Sequence, residues 1–349
     1  MIRQDYNKIN NTKEGYSERI VLCRPRGGLN DMLVQIERCH QYCRKYNRKL
    51  YIDGSRGGFL DDFSNYFIPS KGVSFKKIDF LHAPFDVFPK ELNENIYEYE
   101  VQLKKKEIGG SNYVTEKGTP ITFDFNRDYN EQILVHEQPG GGSTGYLALA
   151  KMQLVNEVRQ HILEKIEAIK KLTAKDKYDA IHIRNTDYQT DYMSFFNIIK
   201  RKINKTTVLC TDDFQCQQDA KEYFGGKVIT VTDIPDLSNA IREDGSAPHN
   251  RSFTLHQNKN LDRYKTNIDA LTDVFILASS NNLYYTSVSK GTLSGFTFLA
   301  KSLNSNKAIL KSLLGQHYIP MIFQWQLLYG KMKIEVIKVA RFFRNKSTL

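Results

Sequence analysis

Long apolar runs are missing from this chain of 349 residues. None approaches the roughly 18 residues that a membrane-spanning helix needs. The first residues, Met1-Ile2-Arg3-Gln4-Asp5, are polar and lack the apolar core of a secretory signal. Cysteine is scarce, with five residues in a chain long enough for about two domains. An odd, sparse set argues against a disulfide framework and for reduced thiols in a cytoplasmic protein. Cys39 and Cys43 lie one helical turn apart, but no second ligand pair of zinc spacing accompanies them, so no metal site is expected. Nucleic-acid signatures are absent too: there is no RNP pattern, zinc finger or basic heptad region, and nucleic acid is not an expected partner.

Positive charge is in excess, at a formal +11. This implies an anionic partner, a phosphorylated substrate, an acidic membrane surface or nucleic acid, and does not choose among them. The hydrophobic content of 40% is that of an ordinary globular protein.

The chain opens as a β-turn-α-β unit. Ile20-Val21-Leu22-Cys23 reads as a strand, and Arg26-Gly27-Gly28-Leu29-Asn30 as a glycine turn. Leu33, Ile36, His40 and Cys43 then recur at helical spacing, and Lys49–Asp53 returns as a strand. Glu137-Gln138-Pro139-Gly140-Gly141-Gly142-Ser143 is loop chemistry, expected either as a mobile loop on a cleft or as a surface connection. Leu154, Val158, Ile162, Ile166 and Ile169 mark an amphipathic helix ending near Leu172.

Beyond it, strands and helices alternate. Strands are expected at 178–183, 207–210, 227–231 and 283–286, with helices around 195–199, through 220–224, at 267–277 and through 296–299. A polar stretch from Asp233 to Arg263 reads as a long loop. Strict alternation means a parallel sheet with helices on both faces. The fold class expected is therefore α/β, with two Rossmann-like units flanking a cleft. Residues 1–172 form the first unit with its linking helix, 173–320 the second, and 321–349 a helical basic tail.

Polar residues gather where strands end. His182-Ile183-Arg184-Asn185-Thr186-Asp187 closes one strand, so His182 and Arg184 share a face and Asp187 sits on the loop. Ligands of open α/β sheets bind at this carboxyl edge. A guanidinium fixed there can hold a diphosphate through paired hydrogen bonds; the same pattern also fits a buried His beside a salt-bridged Arg and Asp. Thr211-Asp212-Asp213 ends the next strand. Its acids suit ribose hydroxyls or the N–H edge of a base, or equally the cap of the helix that follows. Thr286-Ser287-Val288-Ser289, with Ser294-Gly295 before another helix, offers hydroxyls and free N–H groups to phosphate oxygens.

Taken in order, these motifs resemble the GT-B fucosyltransferase superfamily, especially the α-1,6-fucosyltransferase branch that includes the rhizobial nodulation enzymes. The resemblance covers about residues 150 to 305, and the glycine turn more loosely. It rests on His182-x-Arg184-x-x-Asp187, on Thr211-Asp212-Asp213, and on Asp273 ahead of the serine turn. It implies a GT-B architecture and metal-independent transfer from GDP-fucose, with no other cofactor. By resemblance Arg184 takes the β-phosphate, and His182 and Asp273 approach the guanine. Asp187, Asp212 and Asp213 line the nucleotide pocket, Ser287, Ser289 and Ser294 surround the diphosphate, and Gly27, Gly28 and Asn30 bind the donor from the facing glycine turn. The chain departs from the branch at Asn185 and Tyr188, where an Arg and a Lys are common, and its serine pair is spread as Ser-Val-Ser.

An inverting glycosyl transfer follows from that reading, with Arg184 stabilising the leaving group. Asp191 is the first candidate for the base and Asp31 the second; either would also serve as a charge at a helix N-terminus. The acceptor expected is a glycan, as bacterial surface polysaccharide or lipid-linked oligosaccharide. In the tail, Met332, Val336, Val339 and Phe343 share a helical face, with Lys331, Lys333, Lys338, Arg341, Arg344 and Lys346 around them. Such a helix can lie on the anionic inner face of a membrane, or pack back across the first unit. A different donor (another GDP-, UDP- or CMP-sugar) is the second reading. A non-catalytic basic protein that binds membrane or nucleic acid is the third.

Overall fold

The computed structural model describes residues 18–55, 57–78, 86–92, 96, 102–105, 111–114, 120–121, 123–138, 140–173, 177–185, 190–232, 234, 262–287 and 291–315. Asp187, Tyr188, Ser289, nearly all of the polar stretch from 233 and the basic tail lie outside them.

β1 (Ile20–Cys23) is buried along its whole length, as a strand covered on both faces must be. Gly28 starts α1 (Leu29–Lys45), whose apolar stripe of Leu33, Ile36, Cys39 and Cys43 lies against the sheet. β2 (Lys49–Ile52) returns parallel to β1. Then come β3 (Phe67–Pro69), β4 (Val73–Ser74) and β5 (Val87–Phe88). β6 (Gln102–Lys105), β7 (Ser111–Val114) and β8 (Pro120–Ile121) make an antiparallel sheet of their own. β9 (Ile133–His136), α2 (Gly145–Leu149), β10 (Met152–Leu154) and α3 (Asn156–Thr173) complete this half. Its main sheet has the order β4-β2-β1-β9-β5, parallel throughout.

The second half is β11 (Asp179–Ile183), α4 (Tyr192–Ile199), β12 (Thr207–Thr211), α5 (Phe214–Phe224), β13 (Val228–Ile229), α6 (Arg263–Ser279), β14 (Leu283–Tyr285), α7 (Gly295–Ser305) and α8 (Lys307–Leu313). Its sheet, β13-β12-β11-β14, is also parallel. Side chains alternate as a doubly covered sheet requires. Ile181 and Ile183 pack with Phe196 and Ala220 of α4 and α5, while Ala180 joins the core under α6 and α7.

Two expectations are corrected here. Leu154, four residues before Val158, mimics the helical stripe but pairs with Phe67 across the β10–β3 ladder, and the helix begins at Asn156. The strand expected over 227–231 narrows to Val228–Ile229, because Gly225–Lys227 forms a tight turn first.

In each sheet the chain leaves one strand, winds outward, and later places a strand on the opposite side. The reversals fall between β1 and β9 and between β11 and β14, and the crevice beyond the carboxyl ends of such pairs is where open α/β sheets bind ligands. α7 packs against α1 and α2, which brings the two crevices together. No described helix is long and apolar enough to cross a membrane.

Candidate active site between two strand-order reversals

Arg184 follows the last residue of β11. Its Nε lies 3.1 Å from Asp212 Oδ2, and the other oxygen of Asp212 accepts the Asn185 backbone N–H at 2.9 Å. The Asn185 side-chain amide donates to Asp213 Oδ2 at 2.5 Å, and its oxygen accepts the Thr190 N–H at 2.8 Å. Asp213 caps α5 by accepting the Cys216 N–H at 3.0 Å. The acidic pair therefore works on the protein itself: Asp212 aims the guanidinium, and Asp213 caps a helix and anchors the loop after β11. A charge-assisted bond of this kind fixes the guanidinium plane before any ligand arrives.

His182 points to the other face of the sheet from Ile181 and Ile183. Its Nδ1 is 2.6 Å from Thr297 Oγ1, and its ring stacks on Phe296 with centroids 5.1 Å apart. Burial drives its pKa down to about 3, and the Arg184 charge adds to the effect, so the ring is neutral. Ser294 accepts the Thr297 N–H at 3.1 Å and its hydroxyl lies 2.9 Å from Thr297 Oγ1. The His182–Thr297–Ser294 set thus fastens the N-terminus of α7 to the end of β11. Thr286 ties β14 to the same point by donating its N–H to the His182 carbonyl at 3.2 Å. Ser287, just after it, is exposed at the crevice.

The facing wall is built from glycine loops. Gly27 has φ +89°, a left-handed conformation that favours glycine. A Cβ on Gly58 would stand 2.5 Å from the Gly27 carbonyl oxygen, so the two loops touch backbone to backbone. Gln35 stitches this wall: its oxygen accepts the Arg26 N–H at 2.9 Å, and its amide faces the carbonyls of Arg26 at 2.7 Å, Asp31 at 2.9 Å and Gly140 at 3.3 Å. Asn30 donates to the Gly142 carbonyl at 3.0 Å. Buried Glu137 pairs with Arg24 at 3.2 Å and with Arg26. The loop from Glu137 is thus held to Arg24 and Arg26 and, through Asn30 and Gln35, to α1.

The two walls meet at Asp31 and Asn30. A Cβ on Gly295, the first residue of α7, would lie 3.3 Å from Asn30 Cβ and 3.7 Å from Asp31 Oδ1, and one on Gly141 would lie 3.0 Å from the same oxygen. Burial raises the Asp31 pKa against the opposing pull of the Asn30 hydrogen bond and the Arg184 charge. Asp31 therefore sits beside a helix N-terminus, within the field of Arg184, and partly shielded from water.

Asp191 and Asp273 have protein partners of their own. Asp191 caps α4 through the Ser194 N–H at 2.9 Å, is exposed, and has its pKa lowered by that bonding, so it is the weaker base of the two candidates. Asp273 is buried within α6 and accepts from the Thr232 hydroxyl at 2.9 Å. Gln35, Arg24 and Glu137 escaped the sequence reading. For Arg24 and Glu137 a signal existed: each is a polar residue directly after a buried strand, as Arg184 is. Among the described residues, the one group of His, Cys, Asp or Glu side chains close enough to share a metal ion lies elsewhere, at Cys23, Cys39 and His136.

No family model matches the chain, and no curated protein sequence does. Solved structures do. The α-1,6-fucosyltransferase NodZ, from a crystal soaked with GDP-fucose, superposes with a TM-score of 0.52 at 18% identity, over 82% of this chain and 92% of its own. The fucosyltransferase NodZ from Bradyrhizobium gives 0.52 at 17% identity, over 81% and 92%. At such identity the likeness speaks for the fold, and the α/β architecture with parallel sheets and facing crevices agrees with it. The chain has the GT-B-like fold of the fucosyltransferases.

Proposed function

We propose that the protein is an inverting, metal-independent glycosyltransferase that moves fucose from GDP-fucose to a glycan acceptor. The observation that carries this reading is the placement of Arg184, steered by Asp212, opposite Asp31 at the N-terminus of α7. The diphosphate lies between Arg184 and the first N–H groups of α7, with Ser287 at the rim. Arg184 and the helix terminus supply the positive potential that a metal ion gives other transferases. As the sugar–phosphate bond breaks, negative charge grows on the β-phosphate, and one well-placed donor is typically worth about 3–4 kcal/mol there. Asp31 takes the proton of the acceptor hydroxyl attacking from the glycine wall, a contribution of roughly 10²–10⁴-fold. His182, neutral and held by Thr297, keeps α7 in register and carries no proton in the reaction.

A thermal-shift panel of GDP, UDP and CMP tests the donor. Stabilisation by GDP alone supports the proposal; stabilisation by UDP or CMP alone replaces the donor, for which Asn185 at an otherwise basic position gives a motive. Arg184→Ala should cost about 10²–10³-fold in turnover with the fold intact, and near-normal turnover would remove the phosphate role. The acceptor proposed is a bacterial surface or lipid-linked glycan, reached at the cytoplasmic face of a membrane through the basic tail. Liposome pelleting that does not change when residues 321–349 are deleted would rule the tail out.

A further inference from the structure

Cys23 and His136 are the last residues of β1 and β9, and they are register partners in parallel strands. Register partners leave the sheet on the same face. α1 crosses that face and brings in Cys39. The three candidate ligand atoms lie within 4.8 Å of one another, and all three residues are buried. His136 Nδ1 is shut off from water without a hydrogen-bond partner. Phe123 and Phe125 hold the ring from the side, with centroids 5.4 Å and 5.3 Å away. Cys43, one turn along α1 from Cys39, is also buried and is electrostatically linked to both other thiols.

We propose that Cys23, Cys39 and His136, with Cys43 as fourth donor, form a structural zinc site that ties α1 to β1 and β9 beneath the glycine turn. Two or three thiolates and an imidazole are a donor set that tetrahedral zinc accepts, with Zn–S near 2.3 Å and Zn–N near 2.0–2.1 Å. Ligand atoms in such a site stand about 3.5–4 Å apart, so shifts of about an ångström bring the three into place, while Cys43, outside that group, turns its thiol toward it to complete the tetrahedron. With no opening to solvent the site is structural; nothing reaches the ion to react.

Each thiol that ligates the ion gives its proton to solvent as the ion binds. Arg38 near Cys39 and Arg48 near Cys43 offset the charge of a three-thiolate centre.

The test uses the full chain, purified without chelators or a histidine tag. Elemental analysis should find about one zinc per chain. Refolding with cobalt should give thiolate-to-metal charge-transfer bands and the visible spectrum of a tetrahedral ion. Cys39→Ser and His136→Gln should lose the metal, while Cys216→Ser, a buried cysteine of the other half, should keep it. Should these variants not fold, the wild type alone decides. Less than about a tenth of an equivalent of zinc, both as purified and after refolding with equimolar zinc, overturns the proposal. A Cys23–Cys39 disulfide in the purified protein, or zinc retained by Cys39→Ser, overturns it equally.

Discussion

Asp31 and Arg184 set opposite conditions on the same small volume. The carboxylate must be ionised to accept a proton, and burial resists that ionisation while Arg184 favours it. Because the folded-state pKa is raised, the favourable share of this group is present at low pH and is lost as pH rises through the folded value. Asp31→Asn removes that cost. The variant should melt higher than wild type at pH 7 while turnover falls by about 10²–10⁴-fold. In the wild type, activity should decline as pH falls through a value above the ordinary carboxylate range, and this acid limb should be missing from any residual activity of the variant. A variant that keeps both turnover and the limb would return the role of base to another group. His182 and Arg184 were legible in the sequence as strand-end residues, because alternation along a buried strand is local. That His182 serves α7 was not legible, since Thr297 lies 115 positions away. Asp191 and Asp31 looked alike in the sequence, each near a helix start. Their partners separate them: Ser194, three residues on, occupies the first, while the distant Arg184 and Gly295 face the second.

At the level of elements, α1 is the hinge between chemistry and scaffold. Its stripe of Leu33, Ile36 and Cys43 was readable at helical spacing, and so were β1, β11, β12 and α3, because each is regular and buried on a fixed period. Leu154 fell the other way: its spacing from Val158 satisfied the helical rule, but pairing with Phe67 decided its conformation. The polar side of α1 carried no period at all. Gln35 is nearly fully buried, yet only the fold shows that it faces Arg26, Asp31 and Gly140 together. Gln35→Ala leaves the Arg26 N–H without its acceptor at the turn, a loss of about 1–3 kcal/mol. Urea unfolding should register that loss. Because the same amide holds both glycine loops, acceptor KM should rise more than donor affinity falls. An equal effect on both substrates would place Gln35 in general stability rather than in positioning the acceptor wall.

Across the whole molecule, the two parallel sheets share one apolar core. Val21 and Leu33 of the first half lie in the same buried cluster as Leu277 and Leu303 of the second. α6 reinforces the link: Asn267 donates to the Phe59 carbonyl and to the Tyr66 hydroxyl, each at 2.9 Å. Alternating strands and helices foretold two parallel sheets, but not this joint, because a contact between residues 59 and 267 leaves no local trace. The joint has a thermodynamic consequence. If the halves unfold together, a nucleotide held by the second half must stabilise the first half as well. GDP at about 100 times its dissociation constant should add roughly 2.7 kcal/mol to the unfolding free energy. Far-ultraviolet circular dichroism, which sees both halves, should then report one transition that shifts as a unit. In buffer with a zinc chelator, cysteine labelling gives each half its own probe, through Cys39 and Cys43 in one and Cys210 and Cys216 in the other. Both sets should gain protection with the same nucleotide dependence. Protection confined to Cys210 and Cys216 would mean that the halves open separately, and the glycine wall would then not be held in place by the nucleotide that Arg184 binds.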